Sequence, residues 1–161
     1  MQIGIAVYSL NTKLESNKFR KYTQDLYTNI MILCIKTDSA DAELYLYDNK
    51  RRLIDAITWY AHRELAVTLL TTVEKLVNKN KSNLSHLQGV VVYSGPGSFT
   101  GLRIGVSFAN TLAYGLGTSV IGASGAEWIV DGLDQLDTFD DSNRLVVPNY
   151  GSDVHITTPR K

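Results

Sequence analysis

The sequence predicts an α/β fold in which helices pack on a mixed β-sheet. Three strand-like runs follow one another closely from Met31. A continuous apolar run, LQGVVVY (87–93), then lies between two amphipathic helical segments, and strand and helix patterns alternate after it. The predicted order is β-β-β-α-β-α-β-α, in which an antiparallel meander is followed by αβ crossovers. This order favours a mixed sheet with helices in a single lobe.

The strands are predicted from short apolar runs. The first three are separated by short links that suit hairpins. LQGVVVY is rich in β-branched residues, which is typical of a strand buried on both faces. The other predicted strands are MILCI (31–35), ELYLYD (43–48), RLIDAITWY (52–60), SVIG (119–122) and RLVVP (144–148).

Three helices are predicted from apolar periodicity and cap residues. They span about 62–78, about 98–115, and a segment that begins within SGAEWIVDGLDQL (124–136). In the third, Ser124 and Glu127 have the spacing of a capping box. One apolar stripe follows the first helix: Leu65, Leu69, Val73 and Leu76.

The composition indicates a single globular domain. The chain has 161 residues, which suits one domain with its own core, and 44% of them are hydrophobic. It has 16 basic and 16 acidic residues. It therefore lacks the excess of basic residues that is typical of a nucleic-acid-binding domain. A single cysteine suits a reducing compartment. Since no run is long enough to span a bilayer and no secretory signal is recognisable, we expect a cytoplasmic protein.

The chain is predicted to have a core and two ends. The patterning sharpens at Met31, so residues 1–30 are interpreted as an N-terminal extension. Residues 31–148 form the predicted lobe, and residues 149–161 form an extended tail.

The loop SGPGSFTGLRIG (94–105) joins the buried strand to the second helix. A P-loop needs a lysine and then a hydroxyl after its last glycine, but Leu102 and Arg103 stand there. The dinucleotide fingerprint fails because Thr100 replaces its third glycine. Two interpretations stay open: backbone amides that hold an anion, or a tight turn capped by Ser98. The motif residues of the loop are Gly95, Pro96, Gly97, Ser98, Phe99, Thr100 and Arg103.

The second helix carries a small residue at every fourth position. These residues form a smooth ridge: Gly101, Gly105, Ala109 and Ala113. With the leucines and valines beside it, the ridge makes an apolar arc wider than the ~100° that a helix on a sheet needs. The neighbouring helix 62–78 can cover part of the surplus. Either a partner protein covers the rest, or the ridge packs internally on the chain's own sheet.

No set of residues suggests a catalytic or metal site. His62, His86 and His155 have no histidine or cysteine at metal-ligand spacing. Cys34 lies within a strand run and is predicted to be an inert core thiol. Carboxylates near strand ends suggest either a magnesium pair or solvated turns: Asp38, Asp41 and Asp48. A binding protein is therefore favoured over an enzyme.

The motif GPGSFTGLRIG after a buried strand, followed by FANTLAYGLGTSVIGAS, resembles the TsaB (YeaZ) family. MILCIKTDSADAELYLYDN is similar to its opening strand pair, and HRELAVTLLTTVEKLV to its first helix. The resemblance covers about Met31 to Trp128. It implies an actin/Hsp70-like (RNase H-like) fold, here as a first lobe alone.

The resemblance also implies a function. TsaB is a non-catalytic scaffold in tRNA threonylcarbamoyladenosine modification, where it pairs with TsaD, the transferase, and TsaE, an ATPase, joins them. It pairs with a second copy of itself when TsaD is absent, and it meets tRNA only through the complex. No cofactor is expected. The interface predicted for this chain comprises Gly101, Leu102, Gly105, Val106, Ala109, Leu112, Ala113, Leu65 and Leu69.

The sequence departs from the family at three places. Lys36 stands where TsaB has an aspartate in its first strand-turn. Gly125 and Ile129 stand where the related catalytic subunit has paired histidines, which implies that this chain is not the transferase. The second lobe of TsaB has no counterpart.

The alternative function is a stand-alone ATP-binding or ATP-hydrolysing protein with the actin-like fold.

Overall fold

The computed structural model describes residues 30–138 and 145–151. The chain divides into two units, Met1–Ile30 and Met31–Lys161, and all of the elements below belong to the second. The predicted extension up to residue 29 and the tail beyond Gly151 lie outside the described residues. The strands are β1 Met31–Lys36, β2 Asp41–Asp48, β3 Leu53–Tyr60, β4 Leu87–Tyr93 and β5 Ser119–Ala123. The helices are α1 Leu65–Lys79, α2 Phe99–Leu116 and α3 Trp128–Thr138.

The strands form one mixed sheet in the order β3-β2-β1-β4-β5. β2 is antiparallel to both β1 and β3, whereas β4 is parallel to both β1 and β5. The predicted meander followed by αβ crossovers is therefore confirmed. Because β1, β4 and β5 run in the same direction, their carboxyl ends meet at one edge of the sheet, where open α/β sheets usually carry their binding loops.

The helices begin and end close to the predicted positions. A single 3₁₀ turn, His62–Glu64, precedes α1. At the start of α2 the Ser98 side chain accepts a hydrogen bond from the Gly101 amide, as predicted, and Gly117 ends the helix with a φ of 65°. α3 begins at Trp128, four residues later than Ser124, so Ser124 does not cap it.

Apolar side chains form a core on each face of the sheet. α1 and α2 cover the face that carries Leu33, Ile35 and Leu44. α3 packs on the opposite face, where Trp128 lies edge-on to Tyr45 and Tyr93. Cys34 lies in this second core and is fully buried. Burial raises the pKa of its thiol to about 12, so the predicted inert thiol fits its surroundings.

The predicted last strand is absent from the described residues, where 145–150 run as irregular chain. The Asn110 side chain on α2 holds this segment. Its amide nitrogen donates to the Val146 carbonyl and its oxygen accepts from the Val146 amide, both at 2.9 Å. One side chain thus provides the two hydrogen bonds that a neighbouring strand would otherwise offer, and residues 145–148 are held without being a strand.

Candidate functional site

The motif loop 94–98 crosses the carboxyl ends of β1, β4 and β5. Ser94 donates its amide to Ala123 at the end of β5, and Asn149 donates its amide to Ser94. Gly95 has a φ of 125°, and a Cβ there would lie 1.9 Å from the Asn149 carbonyl oxygen. A Cβ on Gly97 would lie 2.4 Å from the Cβ of Asp38. Asn149 on one side of the loop and Asp38 on the other thus leave no room for a side chain at either position, so both positions require glycine.

Three backbone amides at the end of this loop and the start of α2 are bonded to acceptors within the chain. The Ser98 amide donates to the Asp38 carbonyl at 2.8 Å, and the Leu102 amide donates to the Ser98 carbonyl at 2.8 Å. The Gly101 amide donates to the Ser98 hydroxyl at 3.3 Å. An anion site needs amides aimed at the ligand. Of the two interpretations left open by the sequence, the geometry therefore favours the capped turn.

The small-residue ridge of α2 packs on the chain's own sheet. A Cβ on Gly101 would lie 2.0 Å from the Thr37 carbonyl oxygen, and one on Gly105 would lie 2.0 Å from the Thr37 hydroxyl. Thr37 is fully buried and donates its hydroxyl to the Gly101 carbonyl at 2.9 Å. The ridge lets α2 approach the end of β1 closely, and this is the internal alternative that the sequence left open.

Most residues of the predicted interface set are inaccessible in the single chain. Leu112 is half-buried. The other members are buried within the chain, where a partner does not reach them: Gly101, Leu102, Gly105, Val106, Ala109, Ala113, Leu65 and Leu69. The periodicity identified the apolar face of each helix correctly. Periodicity alone does not say which neighbour covers a face, and the partner interface itself stays a prediction.

The side of α1 and α2 that points away from the sheet is the accessible one. It carries large apolar side chains: Val67 is 73% exposed, Leu70 45% and Tyr114 85%. Phe99 is 56% exposed, and Arg103 and Ser107 are exposed beside it. We call these six residues the outer face. Large apolar side chains left exposed on these two helices make the outer face a candidate interaction surface.

A polar cluster lies beside the motif loop, at the end of β1. The Lys36 ammonium is 2.8 Å from the Asp38 carboxylate and 3.5 Å from that of Glu43. Partial burial lowers the pKa of Lys36, but the hydrogen bonds and charges of the two carboxylates outweigh it, so the pKa lies above its ordinary value. Glu43 also accepts a hydrogen bond from Tyr45, and this bond raises the pKa of Tyr45 to about 12. Lys36 is thus charged, and the two carboxylates neutralise it.

The remaining titratable candidates are dispersed. Among the described residues, no group of three or more histidine, cysteine and carboxylate side chains is placed to hold a metal ion. The His62 ring stacks on Tyr60, and His86 shares a hydrogen bond of 2.8 Å with Ser82. His155 lies outside the described residues. Asp48 binds Arg52 and the backbone of its own turn, as expected of a solvated turn.

Two residues that position the motif loop were missed from the sequence. Thr37 follows an apolar strand and has no pattern to distinguish it, yet both glycines of the ridge depend on it. Tyr150 lies on the segment held by Asn110, and its ring packs on that of Phe99 at 4.4 Å. Asn110 was recognisable only as a polar residue on α2, since its bonding partner is far away in the sequence.

The chain is similar to proteins of one modification pathway. The family model TsaD: tRNA N6-adenosine threonylcarbamoyltransferase matches residues 59–135. The tRNA threonylcarbamoyladenosine biosynthesis protein TsaB of Bacillus subtilis (strain 168) is 33% identical over 96 residues, which are 60% of this chain and 42% of that protein. The protein of the same name from Escherichia coli (strain K12) is 36% identical over 62 residues, 38% of this chain and 27% of the other.

The solved structure of YeaZ from Pseudomonas aeruginosa superposes with a TM-score of 0.54 at 26% identity, and covers 58% of this chain and 43% of that one. The chain resembles the TsaB (YeaZ) family in sequence and in fold. This confirms the resemblance carried by the motif loop. The TsaB-like chain matches less than half the length of these relatives. In the part of the chain that is described, no helix has the length and apolarity to cross a membrane.

Proposed function

We propose that this chain is a non-catalytic subunit in tRNA threonylcarbamoyladenosine biosynthesis, and that it binds TsaD through the outer face. The observation that carries the proposal is the exposure of Val67, Leu70 and Tyr114 on the two helices whose opposite sides are fully packed within the chain. The names of its TsaB relatives place them in this pathway. The interface first predicted for these helices thereby moves to their other side.

The same surface accounts for the other expected partners. A second copy of the chain occupies the outer face when TsaD is absent, TsaE joins the assembled complex, and tRNA is met through TsaD. Support for a scaffold over the alternative, a stand-alone nucleotide-binding protein, comes from the motif loop and Lys36. Three loop amides are bonded within the chain, and the charge of Lys36 is neutralised by Asp38 and Glu43.

A matched pair of substitutions tests the proposal. Val67→Glu puts a charge on the outer face, and Val130→Glu puts one on α3, where Val130 is 52% exposed on the opposite side of the sheet. Binding to the TsaD of the same organism is measured by calorimetry, after circular dichroism has shown that both variants fold. We expect Val67→Glu to weaken binding at least tenfold, about 1.4 kcal/mol, and Val130→Glu to leave it unchanged.

Two results would contradict the proposal. The first is a wild-type chain that does not bind TsaD, and the second is a Val67→Glu variant that binds as tightly as the wild type. Turnover of ATP with magnesium by the chain alone would support the alternative function instead.

A further inference from the structure

Arg103 on the outer face is held in a fixed stack. Its guanidinium lies over the Phe99 ring, 5.4 Å from the ring centre, and that ring packs on Tyr150 at 4.4 Å. Stacking on an aromatic face restrains the guanidinium while its N–H edge stays available to an acceptor. The arginine is therefore preorganised, although it is exposed.

Among the described residues, those that line the surface beside Arg103 include hydrogen-bond donors and no acidic side chain. It borders a shallow cavity of about 340 Å³ whose other lining residues are Phe99, Thr100, Ile104 and Ser107. Arg103 is the only charged residue in α2. It makes no ion pair with any residue of the described ranges 30–138 and 145–151. The guanidinium of Arg103 and the two hydroxyls can bind a carboxylate, and the apolar side chains can pack against the methylene groups that carry it.

We propose that Arg103 is the specificity residue of the outer face and pairs with an aspartate or glutamate side chain of TsaD. This inference rests on the proposed function, because it assigns the chemistry of the same surface. A protein carboxylate fits better than a nucleic-acid phosphate backbone, which is usually bound by several cations together. Here Arg103 is the one cation among the residues that line the cavity, and the whole chain has no net charge.

The test compares R103Q and R103K with K50Q, a charge removal in the β2–β3 turn at the far end of the sheet. Each variant is titrated with the TsaD of the same organism at low and high salt. R103Q should weaken binding about tenfold or more, K50Q should not change it, and the wild type should lose more affinity with salt than R103Q. R103K should fall well below the wild type, because a lysine does not reproduce the bidentate fork.

The amine introduced by R103K also identifies its neighbour. A water-soluble carbodiimide joins an amine to a carboxyl group in contact with it as an amide, and peptide mapping then locates the linked residue. We expect the link to join position 103 to an acidic residue of TsaD. If the cross-link is absent, or falls only within the chain itself, the inference is overturned.

The remaining outcomes separate this inference from the proposed function. If R103Q binds TsaD like the wild type while Val67→Glu does not, the carboxylate pairing is wrong and the interface stands. If the wild type fails to bind TsaD, the proposed function fails, and the inference fails with it. If R103Q instead abolishes binding of tRNA by the isolated chain, the site recognises phosphate and the inference is overturned.

Discussion

Gly105 packs closely against the buried side chain of Thr37. In Gly105→Ala the added methyl would lie 2.0 Å from the Thr37 hydroxyl, so α2 or β1 must shift. Overpacking of this kind typically costs ~1–3 kcal/mol, and we expect the free energy of unfolding in urea to fall by that amount. Gly115→Ala is the matched control on the same helix, since nothing lies within 4 Å of a Cβ there.

The control variant should move stability in the other direction. Alanine is favoured over glycine within a helix by roughly 0.5–1 kcal/mol, so Gly115→Ala should be neutral or stabilising. If Gly105→Ala were as stable as Gly115→Ala, the close packing of the ridge on Thr37 would be disproved.

Asp55 joins the edge strand β3 to the end of α1. Its carboxylate accepts from the Lys79 ammonium at 2.8 Å and from the Asn80 amide at 3.0 Å. These bonds lower the pKa of Asp55. A carboxyl group whose pKa is lower in the folded than in the unfolded state adds stability above the unfolded pKa, about 3.9, and loses it as the pH falls through the folded pKa.

The predicted effect of Asp55 is small and depends on pH. Lys79 is 70% exposed, so the coupling between Asp55 and Lys79 should be at most about 1 kcal/mol at pH 7. A double-mutant cycle with Asp55→Asn and Lys79→Gln, measured by urea unfolding, should show this coupling at pH 7 and lose it below about pH 4. A coupling that persists unchanged at low pH would rule out the ionised pair.

At the level of elements, α2 positions the segment 145–151 through Asn110. Asn110→Ala removes both hydrogen bonds to Val146 and should cost the segment about 1–2 kcal/mol of local stability. Hydrogen exchange of the Val146 amide should become faster, while exchange in the core of β4 should be unchanged. Thr111→Ala is the control, because its exposed hydroxyl bonds only to the Ser107 carbonyl within the helix. Equal exchange at Val146 in both variants would exclude this role.

The elements themselves were largely predictable from local sequence. The β-branched run of β4 and the apolar stripe of α1 are local signals, and Ser98 and Gly117 mark helix ends through their own backbone chemistry. The irregular segment after residue 144 was mispredicted, since RLVVP has the composition of a strand. A side chain on α2 binds the backbone of this segment, and a local pattern contains no information about that contact.

The candidate site was less predictable than the fold. The motif loop and the two helices were located correctly, but the sequence left open what covers the ridge, because Gly105 and Thr37 meet only in three dimensions. The exposed aromatic stack of Phe99, Arg103 and Tyr150 joins residues from two distant segments. Such contacts are fixed by tertiary packing, which no periodicity encodes.

For the molecule as a whole, the chain from Met31 onward forms a compact unit of its own. Among the described residues, the members of the two apolar cores lie between Met31 and Tyr150. A chain that starts at Met31 should therefore fold and melt at the same temperature as the full chain, by circular dichroism. An insoluble product, or a melting temperature lower by more than a few degrees, would show that residues 1–30 contribute to the stability of the lobe.

The position of β1 in the middle of the sheet affects how the protein is made. Met31 lies opposite Asp48 on one side and opposite Leu87 on the other. On the ribosome, β1 to β3 and α1 emerge before β4 has been synthesised, so one hydrogen-bonding edge of the most apolar strand stays open in the meantime. Open apolar edges in partly made chains promote aggregation. During translation the nascent chain is thus most in need of protection between the emergence of β3 and that of β4.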